Sequence, residues 1–227
     1  MAAAVAGSRE LFDATAAHVR ATMQGDGSHD WWHVERVWRN SSLIAAGETE
    51  AGRDVDLPVV ELAALLHDIA DWKFHDGDDV AGPQAARAWL ESQNVDAVEV
   101  DRIVEIVARV SFKGAHVPDD MPSLEGQIVQ DADRLDALGA VGIARTFAYG
   151  GHAGRAIHDP DEIVELHDDP EAYKARSGAA SITHFQEKLL HLRERMHTST
   201  ARRIADERHA YMVEFLDRFA LEWDGRA

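Results

Sequence analysis

Apolar residues recur every three to four positions along most of the chain, whereas the alternation typical of β-strands is scarce. This spacing predicts helices whose ends are placed to within about three residues. The predicted helices span 8–24, 30–47, 57–71, 83–93, 96–110, 124–149, 181–197 and 199–222. Pro83 suits a first helical turn, and Gly25 and Asn94 suit helix ends. The segments 111–123 and 150–180 are predicted loops, so we expect an all-α fold.

The organisation of the chain into domains follows from its length and uniformity. At 227 residues it can bury a substantial core, and one domain is the simplest arrangement. No repeat, low-complexity segment or Pro/Ser-rich linker divides it. We predict a single domain over 1–227, a helical bundle whose core lies at about 28–150. The C-terminal helices, at about 181–222, are expected to pack on that core.

The composition narrows the chemistry and the location. The chain contains no cysteine, which excludes disulfides, thiolate zinc sites and cysteine nucleophiles. The first ten residues lack the basic segment of a signal peptide, and no window approaches the roughly 20 apolar residues of a membrane helix. We therefore expect a cytoplasmic protein that does not bind membranes.

The charge balance limits the possible partners. With 23 basic and 41 acidic residues, the net charge of −18 argues against a nucleic-acid-binding surface. The same field repels an anionic substrate. A site for phosphates would therefore need a bound cation or a few well-placed Lys and Arg side chains.

The dipeptide His67-Asp68 lies within the apolar pattern of the third predicted helix. On a helical wheel, the leucines and the isoleucine of 62–69 form the core-facing stripe, and the dipeptide flanks that stripe. Burying an unpaired charge is costly, so we expect these two side chains to have a partner.

Two more predicted helices carry a polar residue on the apolar face. His33 lies on the apolar face of the second helix, and Asp131 falls inside the apolar stripe of the sixth. Asp133 and Asp136 are predicted to point to the opposite, solvated side. If the three faces converge, they offer two imidazoles and two carboxylates. The alternative is that His33 is a satisfied core histidine and that Asp131 caps a helix or pairs with Arg134.

Two imidazoles and two carboxylates would suit one divalent cation. Nitrogen and oxygen ligands without thiolate favour Mn, Ni, Co, Fe, Mg or Zn. Four protein ligands on an octahedral ion leave two positions for water and substrate, and such open positions are typical of catalytic sites.

The order His33, His67-Asp68, Asp131 resembles the H…HD…D signature of the HD-domain metal-dependent phosphohydrolases, an all-α family. The flanking segments ALLHDIADWKF and QDADRLDALGAVGIAR are similar to those of small bacterial HD hydrolases. The resemblance runs from about residue 28 through the C-terminal helices. It implies that these four residues ligate the metal.

The resemblance also bears on the number of metal ions and on the general base. Two-metal HD enzymes have two further histidines before the last aspartate, and here only His75 and His116 lie in that interval, both in predicted loops. We therefore expect one metal. Asp71 shares a helical face with His67, and some HD nucleotidases have an acid at this position. Asp71 is thus the candidate to take a proton from water, with an exposed acid at the helix end as the alternative.

Substrate binding is predicted for three basic residues. Lys73, Lys113 and Arg134 lie near the expected centre, the arginine suiting bidentate phosphate contacts and the lysines acting as point charges. Each could equally form a surface salt bridge. Trp31 or Trp32 could stack on a base, but core packing is the favoured interpretation.

The predicted function is that of a metal-dependent phosphohydrolase acting on small phosphate compounds, most simply nucleotides. The resemblance favours a nucleoside triphosphate pyrophosphohydrolase that releases a monophosphate and pyrophosphate by means of a metal-activated water. A nucleotide monophosphatase, a cyclic-nucleotide phosphodiesterase, a non-catalytic HD regulatory module and a helical partner-binding protein remain alternatives. For Lys188, Arg208 and His209 in the C-terminal helices, packing is favoured over substrate contact.

Overall fold

The computed structural model describes residues 9–23, 30–70, 80–111, 120–163 and 179–227. Within these ranges the chain forms α-helices and one 3₁₀-helix, and it has no β-strand. The helices are α1 (Arg9–Thr22), α2 (Trp31–Glu50), α3 (Leu57–Leu66), α4 (Ala81–Ser92), α5 (Ala97–Arg109), α6 (Leu124–Asp136), α7 (Gly139–His152), α8 (Thr183–Glu187), the 3₁₀-helix (Leu189–Arg195) and α9 (Ser199–Trp223). The prediction of an all-α fold is confirmed.

The chain divides into two compact units, and the division falls inside α6. Unit 1 contains the described residues up to Ser111 together with Asp120–Asp133, and unit 2 contains those from Arg134 onward. The arrangement of C-terminal helices packing on a core at 28–150 stays a prediction. None of the described helices is long and apolar enough to cross a membrane.

Helix α3 is the buried element of unit 1. It packs against α1, α2 and α5, while α4 packs against α5. Every residue from Leu62 to Leu66 is buried, as expected for a helix that is apolar on all sides. The side chain of His67, which directly follows the C-terminal end of α3, is buried as well.

Aspartate side chains fix where two helices of unit 1 begin. The carboxylate of Asp30 accepts a hydrogen bond from the backbone N–H of His33 at 3.0 Å, so α2 begins at Trp31. Asp56 caps α3 in the same way and also accepts a 2.7 Å hydrogen bond from Arg102. The Asp30 cap holds His33 in the first turn of α2.

Two predicted helices end earlier than the apolar pattern suggested. Helix α3 stops at Leu66 instead of 71, and a turn follows over 67–70. The predicted helix 124–149 is two helices, because Leu138 is extended and Gly139 has a φ of +73°. A positive φ costs glycine little, which makes Gly139 the sequence signal for this break.

The remaining differences lie toward the C-terminus. Helix α7 continues to His152, where a loop over 150–180 was predicted, and residues 164–178 lie outside the described ranges. The predicted helix 181–197 is the short α8 followed by the 3₁₀-helix. Helices α1, α2, α4, α5 and α9 match their predicted bounds to within three residues.

Unit 2 is held together by aromatic packing. Helix α7 packs against α9, which also contacts the 3₁₀-helix, and α8 packs against the 3₁₀-helix. The rings of Phe147, Phe185 and Phe215 lie with centroids 6.0–6.1 Å apart.

Unit 2 also buries charged side chains. The buried Asp136 accepts a 2.8 Å hydrogen bond from the guanidinium of Arg145. The buried Arg134 donates to the backbone carbonyl of Arg195. Burial lowers the pKa of Arg208, against the opposing effect of the Asp136 charge. A buried charge of this kind is stable only with a complementary partner.

Candidate metal centre

Two histidines of unit 1 meet in its interior. His33 is the third residue of α2, and His67 directly follows the last residue of α3. Their Nε2 atoms lie 3.2 Å apart, and each side chain is only 1% exposed. The structure therefore brings together two histidines that are separated by 34 residues in the sequence.

The carboxylate of Asp68 completes a three-residue cluster with these imidazoles. Its Oδ2 lies 3.3 Å from Nε2 of His33 and 3.5 Å from Nε2 of His67. One donor atom from each of the three residues lies within 4.8 Å of the others, so the cluster could hold a metal ion. The Asp68 side chain is 13% exposed, so the cluster is partly open on the carboxylate side.

A second carboxylate, that of Asp133, also reaches the imidazoles. Its Oδ1 lies 3.5 Å from Nε2 of His33 and 4.0 Å from Nε2 of His67, and its side chain is 28% exposed. The prediction that Asp133 and Asp136 are solvated was therefore wrong for both residues. From Ile128 to Asp136 the helix is buried at every position except Asp133, so it has no solvated face of the kind that the wheel assumed.

Asp131 was the acid of α6 that the sequence predicted as the fourth ligand. It is fully buried, as its position in the apolar stripe required. Successive helical residues differ by about 100°, so Asp131 and Asp133 point in nearly opposite directions. A role for Asp131 as a ligand stays a prediction, whereas Asp133 is an acid that the pattern missed.

A backbone contact orients the ring of His67. Its Nδ1 lies 2.8 Å from the carbonyl oxygen of Ala64. A carbonyl only accepts, so Nδ1 carries a proton, and the tautomer protonated there presents the lone pair of Nε2 to the cluster. Such a contact from the second ring nitrogen is typical of metal-binding histidines.

The donor chemistry fits a divalent cation. The cluster contains imidazole nitrogen and carboxylate oxygen, the ligand types that borderline and hard divalent ions accept. The two carboxylates would balance the charge of such an ion. The buried imidazoles and the partly exposed carboxylates leave an approach for a small molecule from the carboxylate side.

Several of the other residues predicted for the site cannot be placed in the structure. Asp71, Lys73 and Lys113 lie outside the described residues, as do His75 and His116. Their roles stay predictions.

Arg134, Trp31 and Trp32 lie within the described residues. In addition to the Arg195 carbonyl, the guanidinium of Arg134 meets His197 Nε2 at 3.3 Å, and both of these contacts lie within unit 2. Trp31 is half-buried, whereas Trp32 is 54% exposed, so core packing was the wrong expectation for Trp32.

Sequence comparison identifies the class of protein. The model of the HD domain matches residues 31–138, a segment that contains all the histidines and carboxylates of the cluster. The chain belongs to the HD-domain family of hydrolases, which confirms the resemblance seen in the sequence.

Particular relatives cover nearly the whole chain. YpgQ of Bacillus subtilis (strain 168) is 39% identical over 189 residues, which are 83% of this chain and 81% of YpgQ. A crystal structure from Lactobacillus plantarum is 35% identical with a TM-score of 0.83, covering 96% of this chain and 99% of that one.

Two further solved structures carry descriptions of function or ligand. An HD-superfamily hydrolase from Bacillus thuringiensis is 38% identical, with a TM-score of 0.70 and coverage of 95% of this chain and 98% of that one. YpgQ in complex with ADP is 31% identical over its structural alignment, with a TM-score of 0.70 and coverage of 95% and 100%.

Proposed function

We propose that this chain hydrolyses nucleotides at a single divalent cation held by His33, His67, Asp68 and Asp133. The observation that carries this proposal is that the Nε2 atoms of the two histidines lie 3.2 Å apart and that an oxygen of each carboxylate lies 3.3–4.0 Å from them. Electron-pair donors packed this closely in a protein interior call for a cation between them.

The cation would supply Lewis acidity to a phosphoryl oxygen and to a water molecule. The protein's contribution is orientation and charge. The Ala64 carbonyl holds the His67 ring with Nε2 toward the cluster, and the Asp30 cap anchors the backbone of His33. Mn, Ni, Co, Fe, Mg and Zn all suit the donor set. Asp71 as the acceptor of the water's proton stays a prediction.

The substrate proposal is a nucleoside triphosphate. YpgQ has been crystallised with ADP, and it shares the fold over nearly the full length of both chains. In the proposed reaction a water oxygen bonds to the α-phosphorus and the bond from that phosphorus to the αβ-bridging oxygen breaks. Pyrophosphate leaves with the bridging oxygen, and the products are a nucleoside monophosphate, pyrophosphate and a proton.

Hydrolysis in ¹⁸O-water tests this assignment. The protein is incubated with each of several nucleoside triphosphates and divalent cations, and the products are identified by mass. We expect a monophosphate that carries one ¹⁸O and unlabelled pyrophosphate. Label in pyrophosphate would place the attack at the β-phosphorus. Orthophosphate with a nucleoside diphosphate, or turnover of monophosphates alone, would reject αβ cleavage and leave the hydrolase assignment intact.

Phosphate contacts by Lys73 and Lys113 and a cytoplasmic location stay predictions. A phosphate contact by Arg134 also stays a prediction, and its guanidinium contacts the Arg195 carbonyl and His197 as well.

A further inference from the structure

A single guanidinium lies over two tryptophan rings at the start of α2. The Arg20 guanidinium carbon, on α1, is 5.7 Å from the ring centroid of Trp31 and 5.6 Å from that of Trp32. Both distances are within the range of cation–π attraction. Arg20 is exposed to solvent, so the three side chains form a surface cluster, which we call the Arg20 platform.

Arg20 differs from most other arginines of unit 1 in its electrostatic partners. Six of these arginines pair with carboxylates, namely Arg9, Arg39, Arg53, Arg87, Arg102 and Arg109. Among the described residues, no carboxylate lies within ion-pair distance of Arg20. In a chain with a net charge of −18, this exposed cation has indoles as its neighbours, and its charge is available to an anionic ligand.

Trp32 exposes more than half of a large aromatic side chain beside this cation. Base–aromatic stacking together with an adjacent arginine is the usual means by which proteins bind nucleobases without reading their sequence. The exposed indole therefore has the chemistry of a stacking surface.

The Arg20 platform is adjacent to the candidate metal centre. Trp32 immediately precedes His33 in the first turn of α2, and their Cα atoms are about 3.8 Å apart. Neighbouring helical side chains diverge by about 100°, so Trp32 and His33 point to different sides of one turn. The indole of Trp32 and the imidazole cluster are thus separated by about the combined length of two side chains.

We propose that Arg20, Trp31 and Trp32 form a subsite for the base of the nucleotide, which stacks on Trp32 beside the Arg20 charge. This inference rests on the proposed nucleotide substrate. Because stacking reads the π-face of a base and not its hydrogen-bonding edge, the subsite accepts all bases and favours the larger purines.

Replacing Trp32 by alanine separates base binding from phosphate binding. The titration uses the α,β-methylene analogue of ATP and, separately, inorganic tripolyphosphate, both with Mn²⁺, and calorimetry gives the Kd values. We expect Trp32→Ala to weaken the ATP analogue about 10- to 100-fold, the size of one lost base stack, and to leave tripolyphosphate within twofold. Trp32→Phe should restore most of the loss, because it keeps a ring.

Matched controls exist for both members of the platform. Arg20→Gln should weaken the ATP analogue severalfold. Arg9→Gln should not, although Arg9 also lies on α1 over an aromatic ring, because it pairs with Asp13. Trp223→Ala removes a similarly exposed tryptophan, 48% exposed on α9, and should leave both Kd values unchanged.

The outcomes separate this inference from the proposed function. If the parent protein binds the ATP analogue and Trp32→Ala binds it equally well, the subsite is wrong and the nucleotide function stands. If Trp32→Ala loses the same affinity for the analogue and for tripolyphosphate, the subsite is also rejected, because the substitution then weakens phosphate binding and not base binding. If the parent binds tripolyphosphate and not the analogue, both proposals fail.

Discussion

In unit 2, the buried carboxylate of Asp136 meets the guanidinium of Arg145 at 2.8 Å, and the guanidinium of Arg134 meets a backbone carbonyl. In unit 1, the imidazoles of His33 and His67 face each other at 3.2 Å with two carboxylates beside them. Both regions thus bury ionisable groups, but a cation faces the anion at Asp136, whereas imidazoles face carboxylates in the cluster.

The difference separates structural from functional polar groups. A buried group whose partner belongs to the same chain contributes to the fold, and its partner completes its hydrogen bonding. A buried cluster made of electron-pair donors is instead completed by a bound ion or small molecule. This contrast predicts that substitutions in the cluster act mainly on metal binding and turnover, and that substitutions at the Asp136 ion pair act mainly on stability.

Removing one proposed ligand should abolish catalysis. We expect Asp133→Asn to bind Mn²⁺ at least about 100-fold more weakly and to lower turnover by about 10⁴-fold, because several kcal/mol of Lewis-acid stabilisation leaves with the cation. Metal content is measured by elemental analysis and turnover by product formation at a fixed Mn²⁺ concentration.

Asp131→Asn is the comparison within the same helix. If Asp131 is the fourth ligand instead, this variant loses the metal and Asp133→Asn retains it. Asp136→Asn is the control from unit 2 and should retain stoichiometric metal.

Breaking the internal ion pair of unit 2 should lower stability more than breaking the cluster of unit 1. Asp136→Asn removes the carboxylate charge that Arg145 contacts at 2.8 Å, and we expect a loss of about 3–5 kcal/mol in the free energy of unfolding. Asp68→Asn, measured by urea unfolding in a chelator at pH 8, should cost less than about 1 kcal/mol. Similar losses in the two variants would contradict the distinction between the units.

Metal removal should affect the two variants in the opposite order. A saturating cation at 100 times its Kd stabilises the folded protein by about 2.7 kcal/mol. We expect a chelator to remove this stabilisation from the parent and from Asp136→Asn, and to leave Asp68→Asn nearly unchanged. Thermal unfolding followed by circular dichroism, with and without Mn²⁺, provides the measurement. A metal-dependent shift of full size in Asp68→Asn would show that the ion binds elsewhere.

The smallest effect concerns helix caps. Asp30 caps α2 beside His33, and Thr198 caps α9 by accepting from the N–H of Ala201 at 3.2 Å. Replacing either by alanine should cost about 1 kcal/mol of stability. Only Asp30→Ala should also weaken Mn²⁺ binding, by a few-fold, because it loosens the backbone of a ligand. Equal Mn²⁺ affinity in the two variants would remove Asp30 from the positioning of the site.

The sequence predicted most of the helices because their packing faces are apolar at helical spacing. It failed at Leu66 and at Leu138, where the apolar pattern continues past the actual end of the helix. The spacing of apolar residues indicates which side chains are buried but not where the backbone changes direction. The sequence signal for the break between α6 and α7 was therefore Gly139, which has a positive φ.

The residues of the candidate site were also predicted only in part. His33, His67 and Asp68 come together as expected, since each interrupts an apolar face. Asp133 was missed because a helical wheel assigns one buried face to a helix, whereas α6 is buried on nearly all sides at this point. Which acid of such a helix meets the histidines depends on its rotation about its axis, and this rotation comes from tertiary packing.

The end of α3 determines which group the Nδ1 atom of His67 contacts. The last four carbonyls of a helix have no partner within it, and Ala64 is among the last four residues of α3. Had the helix continued, the N–H of Asp68 would have taken that carbonyl. By stopping one residue before the dipeptide, the chain leaves the carbonyl to His67 Nδ1 and so selects the tautomer that exposes Nε2. The point at which a helix terminates thus specifies the position of a single proton.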